Sequence, residues 1–170
     1  MAQYKTCWAA EGCAVRVLTS ELIQYLQSSF LLDWRGIHGS PHWARVRANG
    51  LYIAERNGAN TKIVELFAFL HDVRREHDGY DTKHGRESAA LAPELNGRFF
   101  SLSNDELELL TWACRDHSSG HLDADVTVQT CWDADRLDLG RVGITPDPGR
   151  LCTREARDLI AVAFRRSRRW

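Results

Sequence analysis

Six side chains of the kinds that bind divalent cations are spread through the 170-residue chain: His42, the adjacent pair His71 and Asp72, His84, His117 and Asp135. Each position falls at or near the end of an expected helix, and groups so placed can converge in a helical bundle. A divalent cation takes neutral imidazole and ionised carboxylate donors from several elements, because one helix directs only one or two side chains at any given point. Such donors suit Mn, Fe, Ni, Co or Mg, and the lack of a thiolate among them disfavours a purely structural zinc site. The His-Asp dipeptide alone carries little weight. Neighbouring residues on a helix diverge by about 100°, so one of them can simply face solvent. The five cysteines, at 7, 13, 114, 131 and 152, form no Cys-x-x-Cys pair. They read as small hydrophobes, with Cys7 and Cys13 left open as a disulfide or metal pair.

The apolar pattern supplies the helices that must carry these groups. SELIQYLQSSFLL, residues 20–32, repeats Leu22, Ile23, Leu26 and Phe30 at helical spacing behind a cap-like Ser. Pro41 suits the first turn of the next helix, which places His42 at a helix start and keeps one face inward to Ile53. TKIVELFAFLHDV is apolar on nearly all sides, the mark of a central buried helix, and it ends on His71 and Asp72. HGRESAALAPEL forms a shorter helix that Pro93 distorts or ends. SLSNDELELLTWACRDH opens with the capping-box pair Ser103 and Glu106 and ends on His117. Val126–Val128 fit either an extended segment or the start of the helix carrying Asp135. GRVGITPDPG reads as a loop and TREARDLIAVAFRR as a last amphipathic helix beginning at Thr153.

In this order HGSPHWARV, FAFLHDV and DADRLD resemble the HD phosphohydrolase superfamily over roughly residues 20–140. The resemblance implies an all-α, single-domain HD-type bundle over 1–170, with its core at about 20–140 and its C-terminal helix at about 153–168. It implies that His42, His71, Asp72 and Asp135 ligate a metal. KHGRESA and CRDHSSG look like the places where the dinuclear branch carries two more histidines, so His84 and His117 are expected to bind a second metal or the substrate phosphate, giving one or two metals per chain. The plainer alternative is a pair of helix-terminal histidines satisfied by backbone carbonyls. Asp72 is then the bridging ligand or the base that orients water, and Arg75 stands about where the family often has a Lys. Val73-Arg74 departs from the small or Gly residue that commonly follows the family's His-Asp pair.

The implied activity is metal-dependent hydrolysis of a phosphate ester or anhydride, of a nucleotide or signalling nucleotide, by metal-activated water. The rivals are a diiron oxygenase and a non-catalytic nucleotide-binding regulatory module. Phosphate also asks for cations outside the metal shell. Arg45, Arg75, Lys83, Arg86 and Arg115 each lie within three residues of a proposed ligand, and Arg45, Arg75, Lys83 and Arg86 are taken as substrate-binding. His38 reads as a supporting residue, and His77 and His121 as exposed. Asp133 is expected to hold a ligand histidine, and Asp138 to pair with Arg136 or cap the next loop. Trp34, Trp43, Trp112 and Trp132 read as packing residues. The loops 74–83 and 118–127 are long and polar enough to act as lids.

With 22 basic and 23 acidic residues mixed throughout, the net charge of -1 gives no electrostatic reason to expect nucleic acid or an anionic membrane as partner. The basic terminal stretch AFRRSRRW reads as a frayed tail. No stretch nears the roughly 18 apolar residues of a membrane span, and a cytoplasmic protein with a small phosphorylated substrate is expected.

Overall fold

The structure, a computed structural model, describes residues 17–168, so the Cys7 and Cys13 alternative lies outside the described residues. Among the described residues seven α-helices follow one another: α1 Ser20–Ser29, α2 Ser40–Asn57, α3 Thr61–Leu70, α4 His84–Leu95, α5 Asn104–Asp116, α6 Val126–Arg136 and α7 Arg154–Ser167. Short 3₁₀ helices occupy Leu137–Val142 and Pro148–Arg150, and no strand is formed among the described residues.

Side-chain caps set most of the starts. Thr19 Oγ1 accepts from the Leu22 amide, one residue earlier than the expected Ser20 cap. The Asn60 side chain accepts from the amides of Lys62 and Ile63, and the capping box of Ser103 and Glu106 is complete. Asp125 Oδ1 accepts from the Thr127 amide at 2.7 Å, which decides in favour of helix for Val126–Val128. Two boundaries differ from expectation. α1 stops at Ser29, where the hydroxyls of Ser28 and Ser29 both bond back to the Tyr25 carbonyl. α4 covers the expected HGRESAALAPEL segment and ends at Leu95, two residues past Pro93, where a proline in the last turn removes a single bond. The expected GRVGITPDPG loop contains helical turns at both ends.

α3 is the central helix: Ile63, Val64, Leu66, Phe67, Ala68 and Leu70 are all buried. It packs on α2, α5 and α6. At Gly50 of α2 an added Cβ would lie 2.4 Å from Val64 Cγ1 and 3.3 Å from Ala134 Cβ, so this glycine lets α2, α3 and α6 meet closely. Those three helices carry His42, His71 and Asp135. Trp43 and Trp132 are fully buried, and Trp34 and Trp112 are partly buried against the same core. A smaller apolar cluster of Ile53, Leu137, Leu151, Ala156, Leu159 and Ala163 seats α7. α7 runs to Ser167, whose side chain is buried, so the arginines before it belong to a packed helix and not to a frayed tail. No helix among the described residues is long and apolar enough to cross a membrane.

Candidate metal centre

The loop after α3 explains how adjacent residues serve one point. α3 ends at Leu70, His71 is its C-cap, and the chain tightens into a turn in which the Val73 amide bonds Leu70 O and the Arg75 amide bonds Asp72 O. Both His71 and Asp72 are thereby buried, at 0% and 2% exposure. Phe67, one turn back on α3, stacks on the His71 ring with centroids 4.9 Å apart.

His42, His71, His84 and His117 share one arrangement. Nδ1 of His42 faces Asp138 Oδ2 at 2.7 Å, that of His71 faces Phe67 O at 3.2 Å, that of His84 faces Asp81 O at 2.8 Å and that of His117 faces Cys114 O at 2.7 Å. Carbonyl and carboxylate oxygens accept, so in each ring Nδ1 carries the hydrogen and Nε2 presents a lone pair. The Nε2 atoms then meet in pairs, His42 with His71 at 3.1 Å and His84 with His117 at 2.9 Å. Lone pairs facing one another at that distance repel unless a proton or cation lies with them. Donors in adjacent positions around a cation, each about 2.1 Å from it, are about 3 Å apart.

Asp72 joins the two pairs. Its Oδ1 lies 3.2 Å from His84 Nε2 and 3.5 Å from His117 Nε2, while Oδ2 lies 3.8 Å from His42 Nε2 and 3.7 Å from His71 Nε2. Asp135 Oδ1 stands 3.4 Å from His42 Nε2 and 3.8 Å from His71 Nε2, on the first pair's side. Two overlapping groups, His42 with His71 and Asp135, and His71 with Asp72 and His117, have the spacing to hold a metal ion. Asp72 Oδ1 is buried without a hydrogen-bond partner. An orphaned carboxylate oxygen amid imidazole lone pairs fits a cation.

The electrostatics favour the ligating forms. Burial, reinforced for His42 by the Arg141 charge, drives His42 well below its usual value, and burial takes His71 down to about 4. Burial also lowers His84. For Asp72 burial opposes ionisation, but His71, His117 and His42 outweigh it and hold the carboxyl far below its usual range. Burial likewise opposes ionisation of Asp135, and His71 and His42 lead the groups that leave it lowered. His117 is the exception: burial lowers it, and the Asp72 carboxylate more than restores it.

The centre opens into a cavity of about 980 Å³. Of the proposed substrate cations only Arg75 lines it, with Nη1 3.2 Å from His84 Nε2 and 3.5 Å from Asp72 Oδ1. Arg45, Lys83 and Arg86 do not line it. Arg45 grips Asp138 through both carboxylate oxygens, at 2.7 and 3.0 Å. Lys83 and Arg86 are exposed while His84 and Ser88 of the same helix turn inward, as the 100° step between residues dictates. The cavity's other arginines are Arg136, which directly follows Asp135, and Arg141 and Arg150, which lie farther along the chain from any proposed ligand.

The two flanking aspartates exchange their expected parts. Asp138, three residues past Asp135, returns to the same side and holds His42. Asp133, two residues before it, points away and accepts from the Cys152 and Thr153 amides and the Thr153 hydroxyl. Asp81, overlooked in the sequence, accepts from the amides of Glu76, Lys83 and His84. Burial alone would raise its carboxyl, but those three amides bring it down to about 2. Its Asp-x-x-His spacing before a helix was the available signal. His38 is buried against Asp78 at 2.7 Å, tying the 74–83 loop to the segment before α2. His77 and His121 are exposed.

No protein-family model matches the chain, and no curated protein matches it. Its structure is similar to the crystal structure of a predicted HD superfamily hydrolase from an uncultured Thermotogales bacterium, 24% identical, with a TM-score of 0.67 over 85% of this chain and 84% of that one. The chain has the all-α HD-domain fold.

Proposed function

We propose that this protein is a metal-dependent phosphohydrolase with a two-cation centre, acting on a phosphate ester or anhydride of nucleotide size. The observation that carries the reading is the convergence of four imidazole lone pairs, in two pairs, on the two oxygens of Asp72. The description of the similar structure as a predicted hydrolase supports the same class. Divalent cations bound there would acidify a water toward neutrality and draw charge from a phosphoryl oxygen.

The chain's own residues do the rest. His42, His71 and Asp135 form one half of the centre, His84 and His117 the other, and Asp72 spans both. Asp135, 17% exposed at the cavity floor, is the carboxylate placed to accept a proton from an attacking water. Arg75 donates to the lone pair of His84 that a metal would take. His84 therefore ligates when Nη1 of Arg75 turns away, and a phosphoryl oxygen bound in the cavity would offer that guanidinium a new acceptor beside Asp72 Oδ1, 3.5 Å away. The volume of about 980 Å³ lies near the top of the range for small-molecule sites, enough for a nucleotide.

The test is metal content of the protein and of His71→Ala and His84→Ala, followed by phosphate release from a nucleotide panel with Mn, Mg, Fe, Ni and Co. Two metals per chain, falling to one in His84→Ala and lower in His71→Ala, with turnover in the parent, are expected. Oxygen consumption with iron and no phosphate release under any metal would replace hydrolysis with oxygenation, and metal binding without either would leave a binding module.

A further inference from the structure

Arg141 lies in the wall of the same cavity, on the side of the His42 and His71 pair. Its side chain is only 8% exposed, yet it has no carboxylate to itself. Nη1 donates to the Asp138 backbone carbonyl at 3.2 Å, and Nε is buried without a hydrogen-bond partner. Asp138 Oδ2 is 4.0 Å away, and that carboxylate is already gripped by Arg45 and by His42. A buried guanidinium so weakly matched is costly to keep in the free protein, and an anionic ligand at the cavity floor would offset that cost.

Charge balance says what kind of anion. The charged side chains lining the cavity balance, Arg75, Arg136, Arg141 and Arg150 against Asp72, Asp78, Asp135 and Asp147, so the two divalent cations of the proposed centre would leave four positive charges, and a dianion neutralises more of them than a monoanion does. A phosphodiester brings one negative charge, whereas a monoester brings close to two at neutral pH. The cavity mouth supplies a second, independent observation. Tyr80, Leu122, Val142 and Ile144, exposed at 91%, 44%, 43% and 53%, all line it. Single exposed apolar side chains need no explanation, but four around the one cavity that Arg141 lines form a surface for an apolar body.

We propose that Arg141 binds the phosphoryl group of a phosphate monoester whose remaining part is apolar or aromatic and lies on Tyr80, Leu122, Val142 and Ile144. This deepens the phosphohydrolase reading and rests on it for the chemistry, though not for the binding. The Mn-loaded protein is titrated calorimetrically at pH 8 with methylphosphonate and phenylphosphonate, which carry the dianionic head and cannot be turned over. Phenylphosphonate is expected to bind at least about fivefold more tightly than methylphosphonate in the parent. Arg141→Met is expected to weaken both about tenfold or more at unchanged Mn content, the loss of a charged hydrogen bond. Ile144→Ser is expected to weaken phenylphosphonate alone.

Affinities of Arg141→Met within twofold of the parent, or a parent that binds neither phosphonate, overturn the role of Arg141. Equal affinities of the parent for the two phosphonates overturn the apolar body. Should Arg141→Met fail to fold, Arg141→Lys is read instead: it keeps the charge and loses the planar fork, and unchanged affinity there is equally fatal. Turnover of phenyl phosphate is measured separately. Phosphonate binding that depends on Arg141 without any turnover sinks the hydrolase and keeps this site. Turnover with Arg141→Met binding like the parent does the reverse.

Discussion

The four Nε2 lone pairs are aimed by acceptors outside the ligand set, three of them backbone carbonyls and one the Asp138 carboxylate. Asp138 is thus the outer partner that a single substitution can test. Asp138→Asn leaves His42 in place but weakens the acceptor at Nδ1 and breaks the Arg45 ion pair. Metal affinity is expected to fall about 10- to 100-fold, measured by competition with a chelator, and an unchanged affinity would remove Asp138 from the centre's support. The same buried imidazoles set a pH dependence in the metal-stripped protein. The unfolded His71 takes up a proton near pH 6.5, whereas the folded ring stays neutral to about 4. Within that window the unfolded chain binds more protons, so stability is constant above it and is lost as pH falls through it, by about 1.4 kcal/mol per pH unit for one such group. His42 and His84 act in the same direction and His117 in the opposite one. Urea midpoints of the stripped protein at pH 7 and pH 5 check the sign, and a higher midpoint at pH 5 contradicts it.

At the scale of elements, the second half of the centre depends on how closely the start of α4 approaches the end of α5. Gly85 makes that approach possible: a Cβ there would lie 2.9 Å from Arg115 O and 3.0 Å from Cys114 O. Those are backbone atoms, and Cys114 O is also the acceptor that aims His117. Gly85→Ala is therefore expected to push His84 away from His117, costing about 1–3 kcal/mol and the second metal while the first, on α2, α3 and α6, remains. Metal per chain and urea unfolding are the two readouts. Loss of both metals together would show that the halves are not separable. The capping box at Ser103 was legible from four residues of sequence because capping is a local hydrogen-bond pattern, whereas the contact at Gly85 joins residues about 30 apart and left no local mark.

Across the whole molecule, α7 is tied to the bundle through Asp133 of α6. Its carboxylate receives two amides and a hydroxyl at the start of α7, at 2.7–2.8 Å, beneath the small apolar cluster of Leu151, Ala156 and Leu159. Asp133→Ala strands those donors in a buried place and is expected to lower stability by about 3 kcal/mol in urea unfolding while leaving metal content intact. A change below about 0.5 kcal/mol would mean that apolar packing alone seats α7. Helix positions, the buried character of α3 and the identities and order of the six candidate ligand side chains were legible in the chain, because periodicity, caps and donor chemistry are properties of short segments. The partners of those side chains were not. Whether Asp133 or Asp138 holds His42, whether Arg45 or Arg141 faces the cavity, and how one carboxylate spans two histidine pairs all depend on angles and separations between helices distant in sequence, and only tertiary packing sets those.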